Sequence, residues 1–267
     1  MTHHFGTALV TGASSGIGAV YADRLARRGY DLVLVARDTG RLEALAARLR
    51  NETGRAIEVR PADLTKDADV AAVEHRLTEP GVTMLVNNAG MSLNGGLLNN
   101  GPAELERLIA LNITAPTRLA AAAGKAFSAQ EHGAIINIAS VLAFAPERFD
   151  GVYSGSKAYL LNLSLSLAAQ VEARGVRVQA VLPGATRTEI WARSGKDIDA
   201  FPAEMVMEVG DLVDAALVGF DKGEVVTIPP LAEADQYAAY EAARLAMGPN
   251  LSRRDVAARY RGVAAAA

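Results

Sequence analysis

"TALVTGASSGIG", residues 7–18, carries a short apolar run into a helix start through glycines at 12, 16 and 18. The run has the length of a buried strand, and "IGAVYADRLARRG" sets Ile17, Val20 and Leu25 at helical spacing before Gly29. Glycines at such a junction permit a tight turn and close approach of an anion. The helix N-terminus adds unpaired N–H groups and the positive end of its dipole, which suits a pyrophosphate. The spacing is GxxxGxG, one residue longer than the fingerprint most often quoted for dinucleotides. A plain glycine-rich turn is the alternative reading, and the strand-to-helix context favours the phosphate-binding one.

Working outward, the same alternation repeats along all but the end of the chain. TALVT, DLVLVA, IEVRP, TMLVNN, AIINIAS, VRVQAVL and EVVTI read as strands buried on both faces, and segments of helical period lie between them. In "GRLEALAARLRNETG" the leucines 42, 45 and 49 recur at three and four, and Gly54 supplies a stop. Crossovers between parallel strands need helices and turn right-handed, so the pattern predicts an α/β, doubly wound, mostly parallel seven-stranded sheet with helices on both faces. With no internal repeat, linker or composition break, one domain over residues 1–267 is expected. The polar, aperiodic stretch at about 186–205 suits a lid, and the alanine-rich tail at 250–267 suits a frayed end.

Composition narrows the chemistry. Half of the residues are hydrophobic, 21% are charged and the net charge is −3, which gives no electrostatic reason to expect nucleic acid or an anionic membrane as partner. Without cysteine there is no thiolate nucleophile, disulfide or cysteine-ligated zinc. His3, His4, His75 and His132 form no metal-ligand spacing, so no metal is expected, and the His3–His4 pair reads as a flexible terminus. The N-terminus lacks the parts of a signal peptide and no run of about 18 apolar residues exists, so a cytoplasmic protein is expected.

Several groups fall at strand carboxyl ends, where such sheets bind ligands. After "LVLVA", Arg37 stands beside the place where an NAD-preferring sheet puts an acid, and its forked donors suit a 2′-phosphate. NADP(H) is therefore favoured over NAD(H). Asp38 could instead reach a ribose hydroxyl, or cap the helix that follows. Asp63 ends the third strand as a candidate adenine contact or a cap, and Asn88, Ala89 and Gly90 end the fourth as a backbone surface for a flat ring or as a turn. Asn112 interrupts an apolar helical face, and Pro116, four residues on, deprives its carbonyl of a partner, so a kink is expected there. The bland alternative is an Asn paired with a neighbouring strand. Ser140 ends the fifth strand, and in "YSGSK" Tyr153 and Lys157 share one helix face about 6 Å apart. An ordinary helix surface would also accommodate that pair.

Taken in order, T11-G12-A13-S14-S15-G16-I17-G18, Asp63, N87-N88-A89-G90, Asn112, Ser140, Y153-S154-G155-S156-K157 and P183-G184-A185-T186-R187-T188 resemble the short-chain dehydrogenase/reductase family over at least residues 7–190. The resemblance implies hydride transfer between a nicotinamide and a carbonyl or alcohol, with a catalytic tetrad at Asn112, Ser140, Tyr153 and Lys157. Ser140 would hydrogen-bond the substrate oxygen and Tyr153 would act as acid in reduction and base in oxidation. Lys157 would hold the nicotinamide ribose, and Asn112 would support a water leading to it. Cofactor contacts would come from Gly12, Ser14, Ser15, Gly16, Ile17 and Gly18, from Arg37, Asp63, Asn88, Ala89 and Gly90, from Tyr153 and Lys157, and from Pro183, Gly184, Thr186 and Thr188. A free phenol, with a pKa of about 10, is a weak base at neutral pH, and a neighbouring ammonium together with oxidised nicotinamide is expected to stabilise its phenolate.

Leu93, Leu142, Phe144, Phe149, Trp191 and Met205 would lie near the mouth and favour an apolar carbonyl substrate, although each could equally be core. The family also implies a homodimer or homotetramer through helices at about 102–127 and 152–174. Two alternatives stand beside the leading reading: an NAD-dependent dehydrogenase, and a non-catalytic dinucleotide-binding regulatory protein.

Overall fold

In a computed structural model, which describes residues 5–261, the apolar runs form seven parallel strands in the order β3-β2-β1-β4-β5-β6-β7. They are β1 (Thr7–Thr11), β2 (Asp31–Ala36), β3 (Ile57–Pro61), β4 (Val82–Asn87), β5 (Gly133–Ile138), β6 (Val176–Val181) and β7 (Val226–Thr227). The expected β7 is cut to two residues because this edge strand meets β6 at only two positions.

Alternation along each strand builds two cores, since successive side chains point to opposite faces. Ala8 and Val10 of β1 join Leu32 and Leu34 of β2 under α1 (Gly16–Arg27), α2 (Thr39–Thr53) and, further along the sheet, α8 (Val209–Asp221). Leu9, Val33 and Val35 face the opposite side. They belong to a core closed by α3 (Asp67–Leu77), α5 (Ala115–Gln130) and the C-terminal end of α6 (Gly151–Val171). Helix α2 starts where Asp38 accepts from the Arg41 N–H and ends at Gly54, whose φ of +68° closes it in the left-handed region.

The order turns at β1, whose successor β2 lies on one side and β4 on the other. The carboxyl ends of those two strands therefore diverge into a crevice, and the glycine turn opens there. Gly12 and Gly16 have φ of +67° and +54°. Gly18 has ordinary φ, but a Cβ on it would lie 2.4 Å from the Gly12 carbonyl oxygen. Gly18→Ala is accordingly expected to destabilise the fold by about 1–3 kcal/mol; thermal unfolding checks this, and an unchanged Tm would remove the packing role.

Between α4 (Pro102–Ile109) and α5 the helix passes through a π turn, Ala110–Thr114, in which the Ala115 N–H reaches back to the Ala110 carbonyl. This is the kink expected from Pro116, in the form of a widened turn rather than a break. Buried side chains tie it inward: Asn87 donates to the Pro116 carbonyl at 3.1 Å and to Asn137 at 3.0 Å, and Asn137 donates to Ser164 at 2.9 Å.

Contacts divide the chain into two compact units, Met1–Pro230 and Leu231–Ala267. The sheet and the helices that cover it lie in the first unit, which ends at Pro230. In the second unit α9 (Ala234–Met247) buries none of its residues, so its apolar side chains, which blend with the rest in composition, build no core of their own. Short turns at Gly248–Asn250 and Ala258–Tyr260 occupy part of the segment expected to fray. The His3–His4 pair and the last residues of the tail lie outside the described residues. Among those described, no helix is long and apolar enough to cross a membrane, and no cluster of potential ligands could hold a metal.

Candidate active site

A cleft of about 1090 Å³ runs along the carboxyl ends of the strands. Its floor is the turn Gly12–Ile17; Arg37, Asp38 and Asp63 line one end, and Ser140, Tyr153, Lys157 and the segment from Pro183 to Met205 line the other. The size exceeds the usual range for a single small ligand, leaving room for a dinucleotide and a second molecule.

The floor fits a dinucleotide phosphate. Ser15 caps α1 with backbone alone, so the first N–H groups of the helix face the cleft without a side-chain acceptor. Thr188 approaches Gly16 closely enough that a Cβ there would sit 3.3 Å from its methyl group. Gly18 itself does not line the cleft and packs beneath the turn, against Gly12 and Asn88. The side chain of Asn88 likewise turns inward, donating to the Thr11 carbonyl at 2.9 Å and the Gly12 carbonyl at 3.3 Å. Its backbone, with Ala89 and Gly90, remains on the wall.

At the β2 end, Arg37 is exposed on the cleft and makes no ion pair among the described residues. Asp38 is engaged as the N-cap of α2, accepting from Arg41 N–H at 3.0 Å, and it also lines the cleft. Asp63 accepts from both the N–H and the hydroxyl of Thr65, at 3.1 and 2.8 Å. Burial acts to raise its pKa, but the Thr65 hydrogen bonds outweigh it, helped by Arg37 and Lys66, and hold the carboxyl below the usual range.

At the other end, α6 begins at Asp150, whose carboxylate accepts from the N–H groups of Val152 and Tyr153 at 3.0 and 3.2 Å. That cap fixes the first turn and so aims Tyr153 at the cleft. The phenol lies beside Ser140, and the Lys157 ammonium lies 5.6 Å from the centre of the tyrosine ring. Lys157 is buried and donates to the Ile138 carbonyl at 2.8 Å. Burial pushes the phenol up to about 12, with Ser140 working the other way. Burial also brings the Lys157 ammonium down to about 8. Desolvation thus outweighs the influence of Ser140 and favours the neutral phenol in the protein without cofactor.

Asn112 does not line the cleft. Its side-chain oxygen accepts from the Met91 N–H at 2.9 Å and its amide donates to the Met91 carbonyl at 2.8 Å and to Ser156 at 3.2 Å, so it is buried and paired, with the connection after β4 and with α6 and not with a strand. It still adjoins Lys157 through Gly90: a Cβ on that glycine would lie 3.4 Å from the Asn112 oxygen and 3.7 Å from Nζ. Of the six residues expected at the mouth, Leu142, Phe149, Trp191 and Met205 line the cleft, whereas Leu93 is core and Phe144 lies off the wall. Pro183, Gly184, Thr186 and Thr188 all line it.

Residues 6–199 match the short chain dehydrogenase family. The chain belongs to that family. A short-chain dehydrogenase from Sphingobium yanoikuyae, solved in complex with NADPH, is 54% identical and superimposes with a TM-score of 0.94 over 96% of this chain and 100% of that one. A bulky-bulky ketone specific alcohol dehydrogenase from Comamonas testosteroni is 46% identical, with a TM-score of 0.90 over 97% and 100% of the two chains. The human 17-beta-hydroxysteroid dehydrogenase type 3 is 35% identical over 68% of this chain, and the match spans 59% of that enzyme's length. As a short-chain dehydrogenase, this chain is an oxidoreductase with a Rossmann-type fold.

Two features of this short-chain dehydrogenase carry no signal in the linear sequence. The expected lid is a chain of short turns around a helix, α7 (Ile190–Arg193), and it is tied down on both sides of the cleft. Glu189 pairs with Arg41 of α2, both oxygens within 2.9 Å of one guanidinium nitrogen, and Lys196 donates to the Leu93 carbonyl at 3.2 Å. Partners separated by 148 and 103 residues have no local pattern to announce them.

Proposed function

We propose that the enzyme transfers hydride between NADP(H) and an apolar ketone or its secondary alcohol, with Tyr153 as the acid and base. The observation that carries this reading is the Tyr153 phenol on the cleft wall, beside Ser140 and one helical turn from Lys157.

The reduced nicotinamide supplies hydride to the carbonyl carbon. In this chain, Ser140 and Tyr153 share the carbonyl oxygen, Ser140 by a hydrogen bond and Tyr153 by giving up the proton on Oη as negative charge develops there. Lys157 moves positive charge toward that oxygen and holds the ribose, while Asn112, beside it across Gly90, orients the route by which a proton returns to the phenol. In the oxidative direction the same groups run in reverse, Tyr153 accepting the proton from the alcohol. The glycine turn and the N-terminus of α1 bind the pyrophosphate, and Arg37, free of an ion-pair partner among the described residues, takes the 2′-phosphate. Leu142, Phe149, Trp191 and Met205 supply an apolar wall, which supports a bulky, lipophilic substrate of the kind named for the Comamonas testosteroni relative. A homodimer or homotetramer through α5 and α6 belongs to this reading; light scattering tests it, and a monomer at every concentration removes it.

A screen of NADPH consumption over ketones, aldehydes and sugars tests the assignment. Turnover of aryl or long-chain ketones is expected, and oxidation of NADPH with sugars alone would redirect the substrate class. The pH profile offers a separate check. Lys157 keeps its proton below about 8 and loses it above, whereas Tyr153 stays protonated to about 12. The kcat/KM for NADPH in reduction should therefore fall as pH rises through about 8, because this ratio reports groups of the free enzyme. An alkaline limb that begins only near about 10, the value of an ordinary phenol, would mean that Lys157 is not the controlling group.

A further inference from the structure

The resemblance and the tetrad account for the proton donor, but not for how the aromatic wall beside it is held. Phe149 sits edge-on to Tyr153, with ring centres 5.5 Å apart and planes at 64°. It also meets Trp191 at 6.3 Å and 85°, and Trp191 packs on Phe201 at 5.0 Å. Phe149 precedes α6 and Trp191 lies in the expected lid, so two separate connections share one aromatic stack beside Tyr153.

Lys196 completes that stack from the lid side. Its ammonium is 3.8 Å from the centre of the Phe149 ring and donates to the Leu93 carbonyl at 3.2 Å. One side chain thus joins three segments: the lid, the connection after β4 and the connection before α6. The approach is close because Gly195, with φ of +68°, lays the lid backbone against Asn94; a Cβ there would lie 2.8 Å from the Asn94 side-chain oxygen. Trp191 is fixed within the lid by donating its indole N–H to the Thr186 carbonyl at 2.8 Å.

We propose that Lys196 is a positioning and specificity-determining residue: its ammonium, seated on the Phe149 face and bonded to Leu93, holds the aromatic wall against Tyr153 and so sets how well a bulky ketone fits. The attraction is that of a cation for the negative face of a ring, strengthened where water is partly excluded. Lys196 touches neither the tetrad nor the cofactor floor. Its loss therefore acts on substrate fit, leaving cofactor binding and the proton donor in place. This inference rests on the reading of Tyr153 as the reacting group.

The test uses Lys196→Met, which keeps the apolar stem and removes the charge, and Lys196→Arg, whose guanidinium can stack on the same ring. The chain has a single tryptophan, Trp191, so its emission reports on this wall alone. With an aryl alkyl ketone such as propiophenone, Lys196→Met is expected to raise KM about fivefold to tenfold. It should change kcat less, leave the NADPH dissociation constant unchanged and shift Trp191 emission to longer wavelength. Lys196→Arg should recover both KM and emission. Unchanged KM and emission in Lys196→Met overturn the proposal, as does an equal loss of NADPH binding. An emission shift without a KM change overturns the specificity role. If the wild-type enzyme turns over no ketone, the reading of the site fails, and the emission of the two variants still decides whether Lys196 holds the wall.

Discussion

Tyr153→Phe is expected to lower kcat for ketone reduction on the order of a thousandfold while NADPH affinity stays unchanged. The substitution removes one oxygen and nothing else. The ring keeps its edge-on contact with Phe149, and the start of α6 keeps the Asp150 cap, so the wall and the helix remain in place. Lost with the oxygen are the proton proposed to meet the developing alkoxide and the hydroxyl that stands beside Ser140. Burial raises the phenol's pKa and favours its protonated form at neutral pH, the state the proposed reduction needs. In the variant only Ser140 is left to touch the substrate oxygen, and it must keep its own proton. Stopped-flow measurement of a single turnover, with NADPH binding followed by fluorescence, separates the two effects. Unchanged turnover would refute the assigned mechanism, and lost NADPH binding would move Tyr153 from chemistry to cofactor retention.

Arg37→Ala should reduce kcat/KM for NADPH by about a hundredfold and leave kcat/KM for NADH nearly unchanged. The argument is one of charges at the end of β2. Asp38, which could accept from a ribose hydroxyl and repel a phosphate, is engaged as the N-cap of α2. Arg41 is close by, but Glu189 binds it through both carboxylate oxygens. That leaves Arg37 as the cation at this rim without an ion pair among the described residues, and a 2′-phosphate is the group whose binding most depends on it. The ratio of the two efficiencies, measured for wild type and variant, is the check. A wild-type preference for NADH, or a ratio that Arg37→Ala does not move, would transfer cofactor choice elsewhere.

Much of this was legible in the linear chain, for local reasons. A strand of the sheet is a short apolar run, a helix end is a glycine or a cap, and the phosphate turn is eight consecutive residues, so each is written where it acts. Gly54, the cap at Asp38 and the widened turn at Pro116 follow from one residue and its near neighbours. Burial is another matter. Leu93 and Phe144 have the same character as Leu142 and Phe149 in sequence, yet only the latter two line the cleft, because exposure depends on which distant segments arrive beside a residue. The same holds for Gly18: its place in the motif suggests a ligand contact, and only the packed turn reveals that the constraint is the Gly12 carbonyl.

Sequence by itself determined the parallel sheet and the glycine turn after β1, since these rest on residue type and on spacing within a few positions, whereas the candidate tetrad, spread over Asn112 to Lys157, came from resemblance to a family. Tertiary structure decided the burial that shifts Tyr153 and Lys157, the ion pair between Arg41 and Glu189, and the seat of Lys196 on Phe149. The physical reason is that desolvation, ion pairing and aromatic packing are sums over neighbours in space, and the segments that supply those neighbours are brought together only when the sheet has formed.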